Sequence, residues 1–241
     1  MIKSVGLCRD FGKTHAVNML DLDIGEGEIF GLVGPDGAGK STTLRLLTGI
    51  LEPTSGDAWV GDCHIVRDSE KLKEKIAYMP QRFGLYEDLT VMENIHFYAD
   101  IYLSSLSERK QRIGQLLDFT RLEPFRNRLA GNLSGGMKQK LGLACALIHT
   151  PKILFLDEPT NGVDPVSRRD FWNILYELLK DKVTIFFSTS YLDEAERCKR
   201  IGLMHKGKLL RCESPQSIKN EFTASSLEEA FISIINKYEN R

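Results

Sequence analysis

No part of this 241-residue chain is apolar for long enough to cross a bilayer. The longest apolar run, Leu141 to Ile148, has eight residues, and a spanning helix takes about twenty. No signal-peptide apolar region follows Met1-Ile2-Lys3-Ser4. The expectation is a chain that docks on a membrane component without crossing the membrane. Charge of one sign is also missing. The 32 basic and 33 acidic residues leave a net charge of −1, and no strongly basic stretch stands out, which excludes the electrostatic footprint of a nucleic-acid binder. The five cysteines (Cys8, Cys63, Cys145, Cys198, Cys212) are scattered, with no CxxC pair and no metal-ligand spacing. They read as buried, reduced thiols of a cytosolic compartment. No internal repeat or low-complexity segment is present.

What is there is an ordinary globular composition, 42% hydrophobic and 27% charged, enough for one large domain. Its most informative segment is Gly34-Pro35-Asp36-Gly37-Ala38-Gly39-Lys40-Ser41-Thr42, a complete GxxxxGK[ST] phosphate loop. The apolar run Ile29 to Val33 precedes it, as for a strand buried on both faces. A helix over Ser41 to Thr48 follows. In this context the glycines turn backbone N–H groups towards phosphate, assisted by the helix N-terminus. Lys40 reaches the β- and γ-phosphates, and the Ser41 hydroxyl is a Mg²⁺ ligand.

A second buried strand, Ile153 to Leu156, ends in Asp157-Glu158. Brought beside the phosphate loop, Asp157 orients a Mg²⁺ shell, and Glu158 polarises a water for in-line attack. Gln81, after Met79-Pro80, offers an amide carbonyl to the same Mg²⁺ or water. Ser134-Gly135-Gly136 opens a helix and reads in two ways. It is an N-capping serine followed by two glycines, or a second cradle for the γ-phosphate. Two glycines in a first turn cost about 1 kcal/mol each relative to alanine, which favours a functional reason. One chain cannot easily place both cradles on one nucleotide, so the pair implies two chains, or two halves, closing over ATP.

Together GPDGAGKST, Gln81, LSGGMKQK (with Gln139), LFLDEPT and Asn161-Gly162-Val163-Asp164-Pro165 resemble the ATP-binding subunits of ABC transporters over nearly the whole chain. The stretch Gly84 to Asn94 and the ending Leu227 to Ile232 resemble the ABC-2 exporter branch. Asp36, the run Met137 to Cys145, and Ser188 to Glu194 are most similar to one half of the tandem multidrug-export ATPases. The resemblance implies an α/β P-loop NTPase (RecA-like) core with an N-terminal antiparallel β subdomain and an α-helical insertion. The core is assigned to residues 1–81 and 143–213, the helical subdomain to 82–142, and a tail helix to 214–241.

The resemblance further implies ATP and Mg²⁺ as cofactors and ATP hydrolysis coupled to export through an ABC-2 type membrane permease. The permease would be received around Gln81 to Asn94, at the cytoplasmic face of the membrane. Phe11 would stack on adenine. Ser134, Gly135, Gly136 and Gln139 would act in trans, and Asp164 would lie between the two sites of a homodimer or heterodimer.

Two positions depart from the family pattern. Ser190 stands where a histidine touches the γ-phosphate and the catalytic glutamate; serine is shorter and carries no charge. Slow hydrolysis at this chain's own phosphate loop is the expectation, with a non-hydrolysing nucleotide-dependent clamp or regulatory ABC protein as the alternative function. Asp36 replaces an asparagine, and either faces phosphate or points to solvent. The tail helix, with Ser226 to Glu229 as a capping box and Leu227, Phe231, Ile234, Ile235 and Tyr238 on one face, packs on its own domain or on a partner.

Overall fold

The computed structural model describes residues 1–239; residues 240 and 241, the end of the tail segment read from the sequence, lie outside the described residues. Four strands, β1 (Ile2–Phe11), β2 (Thr14–Ile24), β4 (Ser55–Val60) and β5 (Cys63–His64), form an antiparallel sheet in the order β2-β1-β4-β5. The other six are β3 (Ile29–Val33), β6 (Ile76–Met79), β7 (Ile153–Asp157), β8 (Thr184–Thr189), β9 (Arg200–His205) and β10 (Lys208–Glu213). They form one sheet in the order β10-β9-β3-β8-β7-β6, parallel except for β10 at its edge. The helices are α1 (Lys40–Leu47), α2 (Ser69–Lys75), α3 (Val91–Tyr102), α4 (Leu106–Phe119), α5 (Gly135–Ala146), α6 (Pro165–Lys180), α7 (Leu192–Ala195), α8 (Pro215–Glu221) and α9 (Leu227–Glu239).

The uninterrupted apolar strands follow from burial on both faces. In β3, β7 and β8, Phe30, Leu32, Ile153, Phe155 and Phe186 enter one core layer, with Leu44, Leu46 and Leu47 of α1 and residues of the antiparallel sheet. Their neighbours Ile29, Val33, Leu154, Leu156, Ile185 and Phe187 enter the other, with α3, α4, α5 and α6. Alternation along each strand sends successive side chains to opposite layers, so neither face admits polar residues before the strand ends. There the strands release their polar groups together, because Asp157 and Ser188 are paired in register on β7 and β8.

Several local expectations change. Val91 to Gln115, whose sequence pattern is mostly helical and amphipathic, is two helices, broken at Leu103 to Ser105. Ser105 caps α4 by accepting from the Glu108 N–H. Ser69–Lys75 is a helix, and of the segment Leu192 to Lys199, helical in its sequence pattern, only the four residues of α7 are helical. The boundary at 142/143 falls inside α5. In the tail only half of the capping box forms. Ser226 Oγ accepts from Glu229 N at 3.1 Å, but the Glu229 carboxylate turns to Ser225. Leu227, Ala230 and Ile234 of α9 are buried in the helical-side core, so the tail packs on its own domain. Cys63, Cys145 and Cys198 are buried, Cys8 and Cys212 half-buried, and all five are free.

His149, in the loop after α5, ties the helical part to the sheet. Its ring stacks on Tyr102 at 4.4 Å, and Nε2 donates to the Ile76 carbonyl at 2.9 Å. Burial holds its pKa below the ordinary 6.5; the Ile76 bond opposes this and Arg112 reinforces it. The unfolded chain therefore takes up a proton at a higher pH than the folded one. The contribution of neutral His149 is intact above pH 6.5 and is lost as pH falls towards the lower folded value. In urea titrations, the wild type should lose stability more steeply across that window than His149→Gln. Parallel pH profiles would count against this role.

Candidate nucleotide site

The loop between β3 and α1 is shaped by close backbone approach. At Gly39 φ is 107°, and a Cβ there would lie 2.2 Å from the Ala16 carbonyl oxygen, so only glycine fits. No side chain caps α1, and its first-turn N–H groups remain available to an anion. This loop floors a cleft of about 600 Å³ whose wall includes Thr14 to Ala16, Gln81, Glu158, Asn161 and the Lys206-Gly207 turn. That is the size of an ordinary small-molecule site, roughly 300–1,000 Å³.

Lys40, 3% exposed at its side chain, lies at the centre. Its ammonium donates to Gly34 O at 2.7 Å and Pro35 O at 3.0 Å, and faces Glu158 Oε1 at 3.0 Å. These three acceptors match its three N–H groups. Glu158 reaches this position because its backbone leaves the strand direction. Its φ is +48°, a left-handed conformation for a non-glycine residue, which costs about 1–3 kcal/mol and is typical of functional sites. Its N–H is held by Ser188 O at 3.2 Å and Ser188 Oγ at 3.1 Å. Its other oxygen, Oε2, accepts from Gln81 Nε2 at 3.2 Å and Asn161 Nδ2 at 3.5 Å.

Asp157, 2% exposed, is not on a strand adjacent to β3, since β8 intervenes. It nevertheless accepts from Ser41 Oγ at 3.0 Å and Ser188 Oγ at 2.7 Å through Oδ1, and from Tyr78 OH at 3.3 Å through Oδ2. Burial, then the Asp157 charge, pushes the Tyr78 hydroxyl up to about 12, so at neutral pH it stays a donor. Hard oxygen donors from Ser41, Asp157 and Gln81 suit Mg²⁺. Among the described residues no cluster of three His, Cys, Asp or Glu could hold a metal unaided. This set fits an ion that keeps waters and takes phosphate oxygens for its remaining ligands.

The other expected residues are distributed more widely. Asp36 and Thr42 line the cleft, and Asp36 is exposed. Phe11, 49% exposed at the end of β1, is outside the cleft lining, and the Arg9 guanidinium covers its ring at 4.7 Å. Ser134, Gly135, Gly136, Gln139 and Asp164 are also outside it. Ser134 caps α5 by accepting from Met137 N at 3.3 Å. Asp164 caps α6, accepting from Val166 N at 3.1 Å and Ser167 N at 2.9 Å, and the Ser167 contacts hold its carboxyl below the usual range. Ser190 is exposed, with no hydrogen-bond partner for its hydroxyl among the described residues. Tyr78 carries no signal in the sequence, and Ser188 and Asn161 enter there only as members of motif stretches, with no role of their own. The register Asp157↔Ser188 is the feature that exposes Ser188.

A model of the ABC transporter family matches residues 17–161. The chain belongs to the ABC transporter family. It carries that family's ATP-binding ATPase domain. It is 52% identical over 88% of its length to the probable multidrug ABC transporter ATP-binding protein YbhF of Escherichia coli, and spans 36% of that relative. It is 32% identical over 96% of its length to the linearmycin resistance ATP-binding protein LnrL of Bacillus subtilis, spanning 78% of it. A dimeric ATP-binding cassette in a post-hydrolysis state, bound to ADP and phosphate, superposes with a TM-score of 0.79 at 29% identity, covering 89% of this chain and 98% of that one.

Gly135 and Gly136 differ in kind. A Cβ on Gly135 would meet only the Gly162 carbonyl oxygen, at 4.0 Å, whereas one on Gly136 would lie 2.3 Å from Ser167 Cβ on α6. Packing against α6 by itself requires glycine at 136, alongside the functional role expected of it from sequence. Gly136→Ala should destabilise the chain by about 1–3 kcal/mol, and adding Ser167→Gly should restore most of it in chemical denaturation. A Gly136→Ala variant as stable as wild type contradicts the packing explanation.

Proposed function

We propose that this chain is the ATP-hydrolysing subunit of an export system, energising an ABC-2 type membrane permease from the cytoplasmic face. The observation that carries this is the convergence of Lys40, Ser41, Gln81 and Glu158 on one cleft, with buried Asp157 hydrogen-bonded to Ser41 beside it. The similarity to YbhF, a probable multidrug ABC transporter ATP-binding protein, and to LnrL, a linearmycin resistance ATP-binding protein, supports export.

In this proposal the phosphate loop and Lys40 bind the triphosphate. Ser41, Asp157 and the free carbonyl of Gln81 hold Mg²⁺, which supplies charge neutralisation on the phosphates. Glu158 accepts a proton from the attacking water. Phe11 offers its ring to adenine beside the cleft. Ser134, Gly135, Gly136 and Gln139, away from the chain's own cleft, complete the site of a second ATP-binding chain, and Asp164 faces that chain. ATP binding favours the closed pair because nucleotide interacts with both members only there. The partner is a second copy or a related ATPase.

A seat for the permease is supported by apolar exposure after Gln81. Tyr86 and Phe97 meet edge to face with ring centroids 4.8 Å apart, and with Ile101, Tyr102 and Leu106 they leave large apolar surfaces exposed. Asn94 fixes this loop, donating to Tyr86 O and Thr90 O at 2.9 Å and accepting from Tyr86 N at 2.9 Å. Among the described residues no helix is long and apolar enough to cross a membrane.

Two variants test the site. Glu158→Gln should lower ATP turnover at least about 100-fold, within the usual range for a general base, while ATP still binds. Turnover that survives it rules out Glu158 as the base. Ser190→His should raise turnover, since the imidazole supplies a charge and reach that serine lacks. An unchanged rate means Ser190 does not limit hydrolysis.

A further inference from the structure

With a serine at 190, the orientation of Glu158 must come from other side chains, and they are beside it. Asn161 Nδ2 donates to Glu158 Oε2 at 3.5 Å, and Tyr191 OH meets Asn161 Oδ1 at 3.2 Å. The direction of this chain is fixed by chemistry. A carboxylate only accepts, so Asn161 must present its NH₂ to Glu158 and its carbonyl to Tyr191, whose hydroxyl must donate. If that hydroxyl were removed, the Asn161 amide could turn over and set an oxygen against the carboxylate.

Tyr191 is itself held in place. Its N–H donates to Thr189 Oγ1 at 2.9 Å, and Thr189 Oγ1 donates to Glu194 Oε2 at 2.7 Å. Glu194 is fully buried and also accepts from Trp172 Nε1 at 3.4 Å and from Thr160 Oγ1. The Arg168 guanidinium covers the Tyr191 ring at 4.6 Å, with its Nε 3.6 Å from Glu194. The buried carboxylate therefore anchors the backbone on both sides of the relay, next to Glu158 through Thr160 and next to Tyr191 through Thr189.

We infer that Tyr191 and Asn161 are positioning residues for Glu158, supplying from the neighbouring position the orientation that Ser190 does not. This rests on Glu158 being the carboxylate that activates water. Once Lys40 turns to phosphate, Gln81 and Asn161 are the two donors left on Glu158 Oε2.

The test uses steady-state ATP turnover and equilibrium ATP binding of the full chain. The variants are Tyr191→Phe, Asn161→Ala, Ser190→His, the double variant Ser190→His/Tyr191→Phe, and Glu158→Gln. Tyr191→Phe keeps the ring under Arg168 and removes only the hydroxyl. It should lower kcat about threefold to tenfold, the worth of one hydrogen bond, with KM for ATP and ATP affinity unchanged. Asn161→Ala should lose at least as much. In the Ser190→His background the Tyr191→Phe loss should fall below about twofold, because the imidazole then orients Glu158. Wild-type kcat in Tyr191→Phe, an equal loss in both backgrounds, or a matching loss of ATP affinity overturns the inference. Turnover that survives Glu158→Gln overturns the base assignment and this inference with it. Turnover abolished in Glu158→Gln but untouched in Tyr191→Phe overturns the inference alone.

Discussion

Lys40 has three N–H groups and, in this fold, three acceptors already on them: two carbonyls of its own loop and the Glu158 carboxylate. The rest of the site depends on that pairing. A phosphate oxygen can reach the ammonium only by displacing one of the three. The two carbonyls belong to the loop that shapes the cradle, so the carboxylate is the acceptor to go. Nucleotide binding and release of Glu158 from its cation thereby become one event. The carboxylate is turned towards the cleft by a left-handed backbone at +48° and steadied on its second oxygen by two amides. Losing Lys40 thus leaves it oriented and without its counter-charge.

The sheet makes this arrangement possible. Its parallel strands must be apolar while they remain between two core layers, and they become polar at their shared C-terminal edge. There β3 delivers the phosphate loop, β7 delivers Asp157 and Glu158, and the intervening β8 delivers Ser188 and Thr189. Ser188 bridges the distance that the intervening strand creates, donating to Asp157 and accepting from the Glu158 N–H. The Thr189 hydroxyl passes the same edge on to buried Glu194. The antiparallel sheet supplies a third wall, with Ala16 pressed against Gly39.

Much of this is legible in the sequence because the demands are local. Strand, glycine loop and helix are contiguous, and a buried strand ending in two carboxylates carries its own position. What escapes is set by contacts distant in the chain. The constraint on Gly136 comes from Ser167 on another helix, and cannot be told from a functional glycine by spacing. The break between α3 and α4 was signalled by Ser105 three residues before Glu108, but the surrounding polar pattern hid it. Asn161 and Tyr191 sit inside motif stretches that give neither of them a role. Their relation to Glu158 appears only when two strand ends are side by side. The tail is intermediate: its apolar face was visible, and only the fold shows that the protein's own core covers it.

The central claim is that Lys40 is shared between Glu158 and the triphosphate. It is tested most directly by calorimetric titration of ATP, with metal chelated to prevent turnover, into the wild-type chain and Glu158→Ala. Removing the competing carboxylate should tighten ATP binding several-fold, because phosphate no longer has to displace it. Unchanged or weaker binding in Glu158→Ala would contradict the claim, and would mean that Lys40 serves the nucleotide without giving up Glu158.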